Sequence, residues 1–168
     1  MYTSDKNEII RYADGVLHDA FLFLAAGIVC AVFGLIYEMF SHEVYSFYMI
    51  YAFLIPLVPG ALLNLVIAWL AVRKEKQLRI REAATLKIDD AGVFFPGRFT
   101  RHAWNSGLAA LTVGFLFKGV LDIYGTTNKL IVVYSAAAAV LICAAVFSFL
   151  MSYATIRKMH KKAEMSAI

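Results

Sequence analysis

Apolar residues in this chain run in long unbroken stretches and show neither strand alternation nor the one-sided spacing of a surface helix. No Asp, Glu, Lys or Arg occurs in residues 20–37, 44–72 or 130–156, and a fourth uncharged stretch, 103–117, ends at Lys118. A helix rises about 1.5 Å per residue and a bilayer's hydrocarbon core is about 30 Å thick, so about 20 residues cross it. The pattern predicts an all-α integral membrane protein with four transmembrane helices, over about 18–40, 44–72, 102–124 and 129–156. The third span must take Lys118 into the membrane to end near Tyr124. The second and fourth are longer than a crossing needs, so they tilt or protrude.

Composition agrees. The chain is 61% hydrophobic and 17% charged, against about 45–50% and about 25% for soluble domains. That excludes a soluble enzyme and a disulfide scaffold, and it excludes a nucleic-acid partner despite the excess of basic residues. Fourteen of the sixteen Lys and Arg lie in the N-terminal segment, the 73–101 region and the C-terminal tail; Lys118 and Lys129 are the others. The positive-inside rule places both termini and the loop 85–101 in the cytoplasm, with the chain integral to the plasma membrane. Trp69, Trp104 and Tyr153 then mark the inner interface, and Tyr37, Tyr45, Tyr48 and Tyr124 the outer one. The first fifteen residues carry Asp5, Lys6, Glu8, Arg11 and Asp14, so no cleavable signal is readable. Residues 5–14 are expected to form a short helix that Gly15 separates from the first span. Cys30 and Cys143 fall near mid-membrane and read as small packing residues.

Sliding the chain by 84 residues superposes span one on span three and span two on span four. His18 falls on His102, Glu38 on Asp122, Trp69 on Tyr153, and Arg73-Lys74 on Arg157-Lys158. This predicts two tandem helical hairpins, 1–84 and 85–168, related by a pseudo-two-fold axis along the membrane normal. Small residues recur at i+4 before a carboxylate in both halves: Ala26, Cys30, Gly34 and Glu38, then Ser106, Ala110, Gly114, Lys118 and Asp122. These ridges are expected to bring spans one and three together. Span four has its own small face, with Ala136, Ala144, Ser148 and Ser152 on one line and Ser135, Ala139 and Cys143 on the next.

Few residues offer chemistry. Lys118 is ionisable within a span, with Asp122 and Glu38 as its possible partners; an ion pair to Glu38 in the space left by Gly34 is expected. Pro56 and Pro59 remove backbone donors near mid-membrane, freeing carbonyls near residues 52 and 55, and Asn64 follows one turn after Gly60. Arg73, Lys74, Lys76, Arg79 and Arg81 extend span two as a basic helix suited to an anionic inner leaflet. Residues 85–95 suggest a short hairpin, with Phe94, Phe95, Phe99 and Trp104 as an interfacial wedge. His18 and His102 are weak metal candidates without further ligands at suitable spacing. No phosphate loop, HExxH or Gly-x-Ser-x-Gly occurs, so neither a catalytic residue nor a cofactor is expected.

The tandem two-helix plan, with Arg101-His102-Ala103 opening span three, is distantly similar to the small proteobacterial multidrug efflux family built from paired transmembrane hairpins. That family has an acidic residue shortly after the His-Ala. Here Trp104-Asn105-Ser106-Gly107 follow, so the resemblance implies the architecture without the proton-coupling carboxylate.

The leading expectation is a non-enzymatic membrane protein acting as a homo-oligomer or as a subunit of a larger transporter complex. A small transporter or channel using Glu38, Lys118, Asp122 and the Pro56–Asn64 break is the second. A membrane enzyme acting on lipid or isoprenoid through His18, Asp19, His102 and Asn105 is the third. The charge distribution yields a direct test of orientation: a phosphatase reporter that matures only outside the cytoplasm, fused after Ile168, should be inactive. Activity there would reverse the topology.

Overall fold

A computed structural model describes residues 2–41, 44–83 and 95–166 of the chain. Five α-helices and one π-helical segment account for its regular structure: α1 (Tyr2–Met39), α2 (Phe47–Tyr51), the π segment (Pro56–Leu62), α3 (Leu63–Ala83), α4 (Arg98–Ile123) and α5 (Ile131–Ser166). Four stretches are long and apolar enough to cross a membrane: Ile9–Met39, Phe47–Lys76, Arg98–Ile123 and Ile131–Thr155. The hairpin expected at 85–95 falls almost wholly outside the described residues.

The first helix differs from expectation. It runs unbroken from Tyr2 to Met39 through Gly15, because one glycine costs a helix only about 1 kcal/mol. Gly15 serves instead to admit a neighbour, since a Cβ there would stand 3.1 Å from Nη1 of Arg101.

Span two is assembled from α2, a turn at residues 52–53, the π segment and α3. Two prolines within four residues withhold two amide protons from the ladder, and the chain answers by rewinding. The Ile55 N–H donates to the Ala52 carbonyl at 3.3 Å, and the Leu57 N–H to Phe53 at 3.2 Å. At the far end of the wide turns, the Leu63 N–H reaches the carbonyls of Val58 and Gly60. The carbonyl of Ala52 is therefore occupied, contrary to expectation. The acceptors taken up by side chains are those of Pro59 and Gly60.

Span two packs between α1 and α4, and α5 packs on α4. α1 packs along the π segment and α3; α4 packs along α5 and also meets α2 and the π segment. Reciprocal knobs lock α1 to the π segment. Leu57 lies over Gly27 and Phe23 over Gly60, each so close that a Cβ on the glycine would sit 2.5–2.6 Å from the opposing side chain. Close van der Waals fit of this kind holds helices together in lipid, where burial of apolar area gives no advantage over the solvent.

The expected pairing of spans one and three is not what forms. Met49 of α2, 1% exposed, occupies the space between them. Its carbonyl lies 3.2 Å from where a Cβ on Gly34 would be, and its backbone N lies 2.8 Å from one on Gly119. The small ridge of span three turns elsewhere: Gly107 faces Ile142 and Gly114 faces Tyr134, both on α5. The halves also differ in form, since α5 is continuous where span two is broken. Gly119→Ala should therefore destabilise the protein by about 1–3 kcal/mol, the cost of overpacking against backbone that cannot swing aside. Gly97→Ala, which meets nothing within 4 Å, serves as the control, and thermal unfolding in one detergent compares the two.

Candidate functional site

Polar side chains gather at the two ends of the bundle. At the end away from the basic segments, Lys118 pairs with Asp122 one turn along α4, and its ammonium lies 5.6 Å from the Tyr48 ring centroid. The expected ion pair with Glu38 is replaced by this one, because Met49 fills the space beside Gly34. Glu38 accepts the Ser46 N–H at 3.4 Å, and the Ser46 hydroxyl donates to Asp122 Oδ2 at 3.4 Å. Both bonds are at the long, weak end of the range. Ser46, 3% exposed, thus joins the repeat-related carboxylates of α1 and α4. It stands just before α2 among aromatic residues, and nothing in that local sequence marks it.

The basic end holds the tighter group. Asp19 of α1 lies 3.1 Å from Arg101 Nε of α4, both side chains 18% exposed, and Asn105 Nδ2 donates to Asp19 Oδ2 at 2.9 Å. The Arg101 guanidinium stands 5.7 Å from the Tyr12 ring centroid. Three buried polar atoms here lack a hydrogen-bond partner: the Tyr12 hydroxyl, Asn105 Oδ1 and Arg101 Nε, whose contact with Asp19 is ionic without hydrogen-bond alignment. Asp19 and Asn105 were sequence candidates and do meet. Arg101 and Tyr12 are not such candidates: Arg101 enters only the charge count and the Arg101-His102-Ala103 resemblance, and Tyr12 lies in a segment expected to be a separate helix. His18 and His102 are exposed. Among the described residues no three or more His, Cys, Asp or Glu side chains are grouped to hold a metal.

The break in span two feeds this end. Asn64, 3% exposed, donates from Nδ2 to the Gly60 carbonyl at 2.8 Å, and Trp104 Nε1 donates to the Pro59 carbonyl at 3.1 Å. Trp104 is thereby turned into the protein. The expected aromatic wedge is divided: Phe95 packs on Tyr12 with ring centroids 5.4 Å apart, Phe99 is exposed, and Phe94 lies outside the described residues. Beside these groups lies a cavity of about 360 Å³, bordered by Tyr12, Asn64, Thr100, Arg101 and Trp104 and by α3 and α5 side chains, and its surface is almost wholly apolar.

Glu38 lines a different cavity, of about 500 Å³, and Asp122 a third, of about 400 Å³ beside Ser46. Glu38, Asp122 and Asn64 therefore border three separate spaces. In the basic extension, the Arg73 guanidinium stacks 3.6 Å from the Trp69 ring centroid and Lys74 lies 5.7 Å from that of Phe95. Lys76 is exposed, and the side chains of Arg79 and Arg81 are outside the described residues.

Comparison with family models, with curated proteins and with solved structures yields no match.

The two ion pairs should differ in worth. Asp19→Ala leaves Arg101 uncompensated in a largely enclosed place, and its cost should approach the roughly 3–5 kcal/mol of a broken buried pair. Asp122→Ala breaks a pair about one-third exposed and should cost about 1 kcal/mol or less. Thermal unfolding of both variants in the same detergent measures the contrast, and equal losses would contradict it.

Proposed function

We propose that the protein is a non-enzymatic membrane protein that works as a homo-oligomer, its termini cytoplasmic and its contact between copies made by span four. The carrying observation is how little of that span the bundle uses. Among the described residues α5 packs chiefly on α4, and 11% of its most apolar stretch is buried against 22–28% for the other three spans. The small residues of α5 divide accordingly. Ala138 and Ala145 face α4, whereas Ser135, Ala136, Ala139, Cys143 and Ser152 are exposed. A face of small residues offers lipid little contact area and lets a second helix approach closely. Cys143 belongs to that face, while Cys30 is buried, so only one of the two reads as internal packing.

A small transporter is the second reading, favoured by the proline break and by polar groups at both ends of the bundle. The distribution of Glu38, Asp122 and Asn64 over separate cavities weighs against a single pathway.

Copper-phenanthroline oxidation in native membranes tests the oligomer. Wild-type protein, and a Cys30→Ala, Cys143→Ala protein carrying Ser135→Cys, should each give a band at twice the 18.7 kDa of the chain. Cys143→Ala alone should give none. A cross-linked product of another mass would transfer the face to a different subunit, and a persistent monomer at both positions would end the reading.

A further inference from the structure

We propose that the 360 Å³ cavity at the basic end of the bundle takes up one acyl chain of a membrane lipid, which enters sideways from the bilayer and leaves its headgroup outside and unselected. The space is more than twice the roughly 150 Å³ of an apolar cavity that stays dry and binds benzene. Its surface is almost wholly apolar, although Tyr12, Asn64, Thr100 and Trp104 all border it. Each of these turns its polar atoms elsewhere. Asn64 Nδ2 donates to the Gly60 carbonyl, Trp104 Nε1 to the Pro59 carbonyl and the Thr100 hydroxyl to Ser148 Oγ, and the Tyr12 hydroxyl is buried out of reach. Water needs two to four polar partners to occupy such a space, and a charged or hydrogen-bonding ligand would give up its solvation there for nothing. The occupant is therefore hydrocarbon.

Depth and access decide which hydrocarbon. The walls are Leu63 and Ile67 of α3 and Ala145, Val146 and Phe149 of α5, all within stretches apolar enough to cross the bilayer. Among the described residues α3 packs chiefly on α1 and α5 on α4, so the two walls stand apart and neither helix closes the gap. Leu63 and Val146 are 40% and 45% exposed, so the gap opens on the lipid-facing flank. At that depth the most abundant apolar matter is acyl chain. Left empty, the cavity would deprive its lining of dispersion contacts. A flexible chain restores them without displacing water or breaking any of the hydrogen bonds at the border.

Trp104 borders the cavity and Trp69, the other indole, is exposed on the bundle surface, so two single-tryptophan proteins separate the cavity from the surrounding lipid. Trp69→Phe keeps the first reporter and Trp104→Phe the second. Each is reconstituted, at a low and a high protein density, into phosphatidylcholine vesicles in which a rising fraction of the lipid carries bromine on its acyl chains, a contact quencher of indole. A site for one lipid loses emission in direct proportion to the brominated fraction, whereas an indole touched by several lipids loses it along a steeper curve. Trp104 is expected to follow the straight line and Trp69 the curve. Phosphatidylglycerol with the same brominated chains should reproduce the Trp104 line. Val146→Phe and Ile67→Phe, which each narrow the cavity, should restore most of the Trp104 emission with Trp69 quenching and the circular dichroism unchanged. Val32→Phe, on the exposed side of α1, should restore none. An unquenched or curved Trp104 response, quenching that survives both narrowing substitutions, or a several-fold difference between the two headgroups would overturn the proposal. So would quenching that appears only at the low protein density, which would make a second copy of the chain the cover of the cavity.

Discussion

Span two carries two prolines through a medium with no water to replace the hydrogen bonds they withhold, and the placement of the other spans follows from how that deficit is met. The helix rewinds into π turns between Pro56 and Leu62, and side chains add hydrogen bonds to the Pro59 and Gly60 carbonyls. Asn64 serves one from within the same span and Trp104 serves the other from α4. The second bond fixes the register of α4 against span two at one point. Gly27 and Gly60 fix α1 against the same segment by interlocking with Leu57 and Phe23. Both neighbours are thus docked on one irregular stretch of seven residues.

With span two in the middle, the contacts described between α1 and α4 are made by side chains at the two ends of the bundle. Tyr37 faces Tyr124 at one end, with ring centroids 6.3 Å apart, and Asp19 faces Arg101 at the other. The polar clusters are where they are because the core between them is closed by Met49 and the π segment. Ions and hydroxyls are tolerated where a side chain can reach headgroup depth, and long cations reach it most easily. The fourth span takes no part in this centre. Among the described residues its chief neighbour is α4, approached closely at Gly107 and Gly114, so its outer face is available to lipid or to another chain.

Span number and approximate limits were legible in the sequence because lipid imposes one rule on every backbone and an uncharged run of sufficient length has one solution. Partner choice was not. The i+4 ridge ending in Lys118 and Asp122 is a true feature of α4, but a stripe of glycines and alanines says that some helix comes close and leaves open which one. Gly114 and Gly107 receive α5, and Gly119 receives Met49. The same gap explains Lys118. Its partner within one turn, Asp122, depends only on helical spacing, whereas the partner across the bundle, Glu38, depended on an interface that Met49 occupies. Gly15 was misread for a related reason: a glycine beside polar residues suggests a break, yet its role is set by the guanidinium that lies against it.

Arg101 shows how a residue read for topology acquires a second part. It stands three residues into α4, directly after the polar segment, and a cation there would ordinarily turn outward to headgroups. Trp104, one turn further on, is held inward by the Pro59 carbonyl. Residues three apart share a helix face, so the bond that seats Trp104 also turns Arg101 toward α1, where Gly15 leaves room and Asp19 supplies charge. The proline break, the seated indole and the inward cation are thus successive consequences of two missing amide protons in span two.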